Sequence, residues 1–216
     1  MHLRAITPIV VAEDELVRRR ARYDHLAPPG VTIHLDNLSH GPNRLESSSQ
    51  VRTSEERVYE EALRTDPNRF DGIFLDCVLD PALERLQEES PLPVFGITRL
   101  VSTYLGSLGL RMAAVARNKA IADELADRID AFGWSSQFEE VLILDLSLDD
   151  IGDTDRWNRI VAERVAAGDL DGVDVIINGC SAVEVHQTGG PPLLDPTALA
   201  LRLVGLGADL FDGGRS

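Results

Sequence analysis

The chain has 216 residues, enough for one large domain or two of about 100 residues each. With 44% hydrophobic, 26% charged and only 5% aromatic residues it reads as an ordinary globular protein whose core is built from Leu, Val, Ile and Ala. The formal net charge of −15 would repel a phosphate backbone, which argues against nucleic-acid binding as the main activity, and no run of about 18 apolar residues supports a membrane span.

In chain order, Leu3 to Ile6 reads as a first strand, broken at Thr7-Pro8, and Glu13 to Leu26 as the helix after it. The run Arg18-Arg19-Arg20-Ala21-Arg22 reads as a solvated helical face, because Asp14 and Glu15 stand four residues before Arg18 and Arg19 and make the usual helical pairs. Val31 to Leu35 alternates as a second strand. A polar, Gly/Pro-punctuated loop from Asn37 to about Arg52 follows, and a loop of that length in a compact chain is functional or mobile. A helix from about Ser54 to Arg64 leads to a third strand ending near Cys77. Asp80-Pro81 then offers a helix N-cap and a proline at the first helical position. Leu92 to Ile97 reads as a strand and Thr98 to Leu108 as a helix.

The second half repeats this order: strand Leu110 to Ala116, helix Asn118 to Phe132, strand Glu139 to Leu144, helix Thr154 to Ala167, then a strand ending near Cys180. Ser181 offers a cap for a short helix, and Pro191 to Pro196 holds a last short strand. A closing helix runs from about Thr197 to Leu210, and the tail from Asp212 to Ser216 is expected to fray. Strand and helix alternate throughout, which predicts parallel sheets.

Two stretches share one layout. Phe70-Asp71-Gly72-Ile73-Phe74-Leu75-Asp76-Cys77 and Val173-Asp174-Val175-Ile176-Ile177-Asn178-Gly179-Cys180 each run from an aspartate through apolar residues to a cysteine, and the chain has only these two cysteines. Such runs suit strands buried on both faces, so each cysteine stands at a strand's carboxyl end, where ligands bind in open α/β sheets. A pair of free cysteines is often simply a pair of small core residues. Equivalent placement in a repeat points instead to a shared site. Asp76 is expected to point to the opposite strand face from Cys77, Asp71 and Asp174 to serve as turn or cap residues, and His186 to lie in an exposed loop. No Cys/His spacing resembles a zinc site, so no metal is implied. The N-terminal segment lacks the apolar core of a signal peptide, which points to a cytoplasmic protein.

Five stretches carry a further likeness: Cys77-Val78-Leu79-Asp80-Pro81-Ala82-Leu83, Pro93-Val94-Phe95-Gly96-Ile97, Gly179-Cys180-Ser181-Ala182, Pro192-Leu193-Leu194-Asp195, and Gly41-Pro42 with Leu45-Glu46-Ser47. In this order and spacing the chain resembles the aspartate/glutamate racemase superfamily and, within it, the hydantoin racemase branch, with Ala82 where that branch has glycine. It departs from the branch at Thr7-Pro8-Ile9-Val10, where Asn-Pro-Asn-Thr is usual, at Arg117-Asn118, where a Thr-Thr pair is usual, and at Arg44, where serine is usual.

The resemblance implies an α/β fold of two pseudo-symmetric lobes, each a mostly parallel four-stranded sheet flanked by helices, with the site in the interlobe cleft. Lobe 1 would hold residues 1–97 plus 193–216 and carry Cys77; lobe 2 would hold 98–192 and carry Cys180. The implied reaction is racemisation or epimerisation without a cofactor at a carbon next to a carbonyl, on a hydantoin-like or amino-acid-like small molecule. Cys77 and Cys180 would act as acid and base on opposite faces of that carbon. A homo-oligomer is expected. Thr7, Arg44, Ser47, Val78, Thr98, Arg117, Asn118 and Ser181 are the residues expected near the substrate; Arg117 either clamps a carboxylate or caps a strand at the surface. With a helix start at Asp80-Pro81 behind it, Cys77 is the expected resting thiolate, since helix N-termini lower thiol pKa values. The wider superfamily also implies two-cysteine isomerases of unsaturated diacids, one-cysteine malonate decarboxylases, and a binding-only member without activity.

Overall fold

The computed structural model describes residues 1–187 and 189–212. The first sheet contains β1 (His2–Ile6), β2 (Thr32–Asp36), β3 (Gly72–Leu75) and β4 (Val94–Phe95), all parallel, in the order β2-β1-β3-β4. The second contains β5 (Met112–Ala116), β6 (Phe138–Ile143), β7 (Val175–Asn178) and β8 (Leu193–Leu194), again all parallel, in the order β6-β5-β7-β8. The two orders are the same, so the halves are topological repeats. The expected α/β class with two four-stranded parallel sheets is what the chain forms. β8 pairs with β7, so residues 193 and 194 belong to the second sheet, not to the first lobe as the expected boundary had them. Their backbone groups are satisfied there.

The linking helices are α1 (Glu13–Leu26), α2 (Ser48–Ala62), α3 (Leu83–Glu89), α4 (Ile97–Ser107), α5 (Lys119–Ala131), α6 (Thr154–Ala167) and α7 (Pro196–Asp212). Each sheet is covered on both faces, and strand alternation shows it: Met112, Ala114 and Ala116 of β5 face one core, while Ala113 and Val115 face another built on Trp157, Val161 and Val165 of α6. The first of these cores is continuous across both sheets. It joins Leu3, Ala5 and Phe74 to Met112, Ala114 and Ile177 through Val101 and Leu105 of α4 and Leu201 and Val204 of α7. Burying side chains of this size contributes about 1.5–3 kcal/mol each, so the lobes are bound into one body mainly by apolar contact.

Three local expectations are corrected. α2 starts at Ser48, six residues before the expected start near Ser54, because the Ser47 hydroxyl accepts the Gln50 N–H (3.3 Å) as N-cap and the buried stripe Val51, Ser54, Val58 and Ala62 begins there. Asp80 does not cap α3. It and Ala82 adopt left-handed backbone (φ 44° and 57°), α3 starts only at Leu83, and the Asp80 carboxylate instead accepts the N–H groups of Thr98 (3.1 Å) and Arg99 (2.7 Å) at the start of α4. No helix forms at Ser181, where the chain makes a turn. The tail from 213 to 216 lies outside the described residues, among which no helix is long and apolar enough to cross a membrane.

The pseudo-symmetry extends to the strand entrances. The Asp71 carboxylate accepts the His2 N–H (2.7 Å) and the Asp174 carboxylate accepts the Arg111 N–H (2.8 Å), so each repeat aspartate bridges to the neighbouring strand. At the opposite end Gly179 is required by close approach: a Cβ there would sit 2.2 Å from the Val115 carbonyl oxygen, a backbone atom that cannot move aside. Gly179→Ala is expected to cost about 1–3 kcal/mol, read as a lower denaturation midpoint with an unchanged denaturant slope.

Candidate active site

Each cysteine stands two residues past the end of its strand, β3 for Cys77 and β7 for Cys180. In both sheets the chain leaves the first strand in one direction and returns on its other side, so these ends are topological switch points, where crevices open. The two crevices face each other across a cavity of about 60 Å³ that opens to the surface. Its walls come from the carboxyl ends of all four inner strands: Pro8 and Ile9 after β1, Cys77 to Leu79 after β3, Arg117 after β5, and Gly179 to Ala182 after β7. Leu45, Ile121, Leu148 and Ile151 close it with apolar surface, and Arg19 enters from α1. Both thiols are free and both face this space. Each sulfur is approached by the N–H two residues on, that of Leu79 for Cys77 (3.5 Å) and that of Ala182 for Cys180.

The arginine run of α1 is not a solvated face. Arg19 is buried; its Nε donates to Glu15 (2.7 Å) and its Nη1 to Asp76 (3.1 Å), which also accepts the Tyr23 hydroxyl (2.7 Å). Arg18 donates to the Ala182 carbonyl (2.9 Å), while Arg22 donates to the Ser181 carbonyl (3.1 Å) and to Asp195 (2.7 Å). One helix of the first half thus grips the turn that carries the second half's cysteine. The i, i+4 pairing with Glu15 exists as expected, but it orients Arg19 inward. Nothing in the local sequence separates a helix face that meets water from one that meets another lobe's carbonyls.

The family model of Asp/Glu/Hydantoin racemases matches residues 15–204. The chain belongs to that family. It is therefore an enzyme of the racemase and isomerase group, and the match spans both cysteine strands. Among solved structures, allantoin racemase from Klebsiella pneumoniae superimposes with a TM-score of 0.81 at 19% identity, covering 97% of this chain and 88% of that one. Allantoin racemase from Pseudomonas fluorescens gives 0.80 at 18% identity, covering 97% and 92%. Maleate isomerase from Pseudomonas putida S16 gives 0.68 at 14% identity, covering 97% and 93%. No curated protein matches the chain significantly in sequence.

Of the residues expected near the substrate of this racemase-family protein, Cys77, Val78, Arg117, Cys180 and Ser181 line the cavity. Thr7, Ser47, Thr98 and Asn118 do not, and their side chains are engaged elsewhere. The Thr7 hydroxyl donates to the Ile9 carbonyl (2.8 Å) and accepts the Leu38 N–H (3.1 Å), and that of Thr98 donates to the Val78 carbonyl (2.5 Å). Asn118 caps α5 and, through Nδ2, donates to the Leu45 carbonyl (2.8 Å). Arg44 lines a wider outer space of about 540 Å³ that shares Ile9, Arg19, Leu148 and Ile151 with the cavity, so it stands at the mouth. Arg117 is buried rather than capping a strand at the surface. Among the described residues no group of three or more His, Cys, Asp or Glu side chains is placed to hold a metal.

The electrostatics reverse the expected assignment of the thiolate. Burial pushes the Cys77 thiol up to about 12; the Leu79 N–H works against this, but the neighbouring Asp76 and Asp80 add to it. Burial also raises Cys180, but the Ala182 N–H and the guanidinium groups of Arg19 and Arg22 pull it back, and it keeps more exposure. The helix start credited to Cys77 is absent, since Asp80 serves α4 and brings a carboxylate instead. Cys180 is the thiol better placed to ionise. In a pH series of iodoacetamide labelling read by mass spectrometry, the Cys180 midpoint is expected below that of Cys77. Arg19→Gln, which removes a nearby positive charge, should move the Cys180 midpoint upward; coincident midpoints in the parent protein would contradict this assignment.

Proposed function

We propose that the protein is a cofactor-independent racemase or epimerase in which Cys180 and Cys77 are the base and acid. The observation that carries this reading is two free thiols on the facing walls of one cavity, in electrically unlike surroundings. In one direction the Cys180 thiolate takes the proton from a carbon next to a carbonyl, and the Cys77 thiol gives its own proton to the opposite face of that carbon. Cys180 ends as thiol and Cys77 as thiolate, which is the starting state for the reverse direction. Inversion of the stereocentre requires this two-sided arrangement, and a neutral acid opposite an ionised base is what it needs at the outset.

The carbanion would form in a cavity whose walls are mostly apolar, where positive charge and N–H donors are worth more than in water. Of the two guanidinium groups that line it, Arg19 is paired with Glu15 and Asp76, while Arg117 has only a long contact to Glu46 (3.9 Å). Hydantoins and amino-acid derivatives are the first substrate classes to assay. The reading includes two lobes, 1–97 with the closing helix and 98–195, supported by the two equivalent sheets. It also includes a cytoplasmic location, supported by two unpaired thiols that a reducing compartment preserves.

Incubation in deuterium oxide should place deuterium at the stereocentre of a turned-over substrate. Cys77→Ser and Cys180→Ser are each expected to slow interconversion at least about 100-fold. Conversion of maleate-like diacids without stereocentre exchange would favour a cis-trans isomerase, and ligand-induced stabilisation that survives both substitutions without turnover would favour a binding-only protein.

A further inference from the structure

The cavity is rich in donors and poor in acceptors. Among the described residues no aspartate or glutamate lines it, while two guanidinium groups do. The charge of Arg19 is answered by Glu15 and Asp76. That of Arg117 is met only at a distance: the nearest recorded carboxylate is Glu46 at 3.9 Å, a half-exposed side chain, Asp150 acts from further off, and its hydrogen bonds go to the carbonyls of Leu146 (3.2 Å) and Leu45 (3.1 Å). These two carbonyls leave N–H donors unused, and Nε is buried without a partner. Buried charges are ordinarily paired, and an unmatched one in a cavity wall marks the place of an anion.

Several of the carbonyl oxygens around the cavity are already engaged. That of Leu45 accepts from both Arg117 and Asn118, that of Val78 from Thr98, that of Ser181 from Arg22 and Thr197, and that of Ala182 from Arg18. An ammonium group would find neither a carboxylate nor an open row of carbonyls. A neutral cyclic amide would leave the Arg117 charge without an anion. The remaining wall is aliphatic, from Ile9, Leu45, Leu79, Ile121, Leu148 and Ile151.

The geometry points to a substrate that is a small α-substituted monocarboxylate, without a free amine, whose carboxylate binds Arg117 and whose substituent packs on the aliphatic wall. This rests on the two-thiol racemase reading for the reaction but not for the binding. Arg117 would select the substrate and stabilise the negative charge that builds on the carboxylate as the α-proton leaves. The departure at Arg117 from the pattern of the branch would then be a change of substrate class.

The test uses three probes of similar size: 2-phenylpropanoate, phenylglycine and 5-phenylhydantoin. Binding is read as a thermal shift and by calorimetry, and α-hydrogen exchange by proton NMR in deuterium oxide. The expected result is that 2-phenylpropanoate binds best. Arg117→Gln should weaken it about 10- to 100-fold, the range for a hydrogen bond to a charged group, while leaving the neutral hydantoin unaffected. Arg117→Lys, which keeps the cation, should restore part of the preference; melting curves and circular dichroism confirm that each variant is folded. If phenylglycine or the hydantoin binds better than the propanoate, or if none of the three binds, the inference is overturned. Arg117-dependent binding of the propanoate with no exchange on any probe would uphold this inference and overturn the racemase reading.

Discussion

The site depends on the grip of α1 on the turn after β7. Two arginines one turn apart on one helix reach across from the first half to the second: Arg18 and Arg22 hold the backbone carbonyls of Ala182 and Ser181, while Arg19, next to Arg18 in the chain, is paired with Asp76 and Glu15. These are buried or half-buried charges. For the buried Arg19–Asp76 pair, removing one partner leaves the other desolvated and alone, at a cost of about 3–5 kcal/mol. The grip therefore fixes where Cys180 stands relative to Cys77, and it also sets the electric field at that sulfur. Position and ionisation come from one set of contacts.

The scaffold itself is nearly symmetric, and the asymmetry needed for chemistry is added by side chains. Both sheets have the same strand order, both repeat aspartates bridge to the same neighbouring strand, and both sulfurs meet the N–H two residues on. What differs is the charge brought near. Burial and Asp76 raise both thiols; Asp80 adds to the rise at Cys77, while Arg19 and Arg22 oppose it at Cys180. Asp80 is tied to the N-terminus of α4, and burial pushes its own pKa up to about 7 against the pull of those N–H groups. Gly96 makes this contact possible, since a Cβ there would fall 2.6 Å from the Asp80 carboxylate.

Much of the fold was legible along the chain. α1 and α6 begin and end where the sequence places them, although the cap of α6 is Asp153 rather than Thr154 or Asp155, and the parallel sheets follow from the alternation of strand and helix. The errors have local causes. The start of α2 was hidden because Ser47, Ser48 and Ser49 look like loop, and only the buried stripe beginning at Val51 reveals the first turns. Asp80-Pro81 has the chemistry of a helix start, but its carboxylate is taken by another helix. Of the site, the two cysteines, Val78, Arg117 and Ser181 could be found from the repeat and the family likeness. Arg19 could not, because a buried arginine and a solvated one have the same helical neighbours. The engagement of Thr7, Thr98 and Asn118 in backbone hydrogen bonds is equally invisible in one dimension.

The sequence by itself determined the element order, the duplication, the carboxyl-end position of both thiols and the family. These rest on periodicity, on turn residues and on motif spacing, all of which act between near neighbours in the chain. Tertiary structure alone decided which charges surround each sulfur and which polar groups remain free in the cavity, and hence which thiol is better placed to ionise. The reason is physical: a pKa and a pocket's hydrogen-bonding capacity depend on groups within a few ångströms, and here those groups are contributed by segments as far apart as α1 and the turn at Cys180.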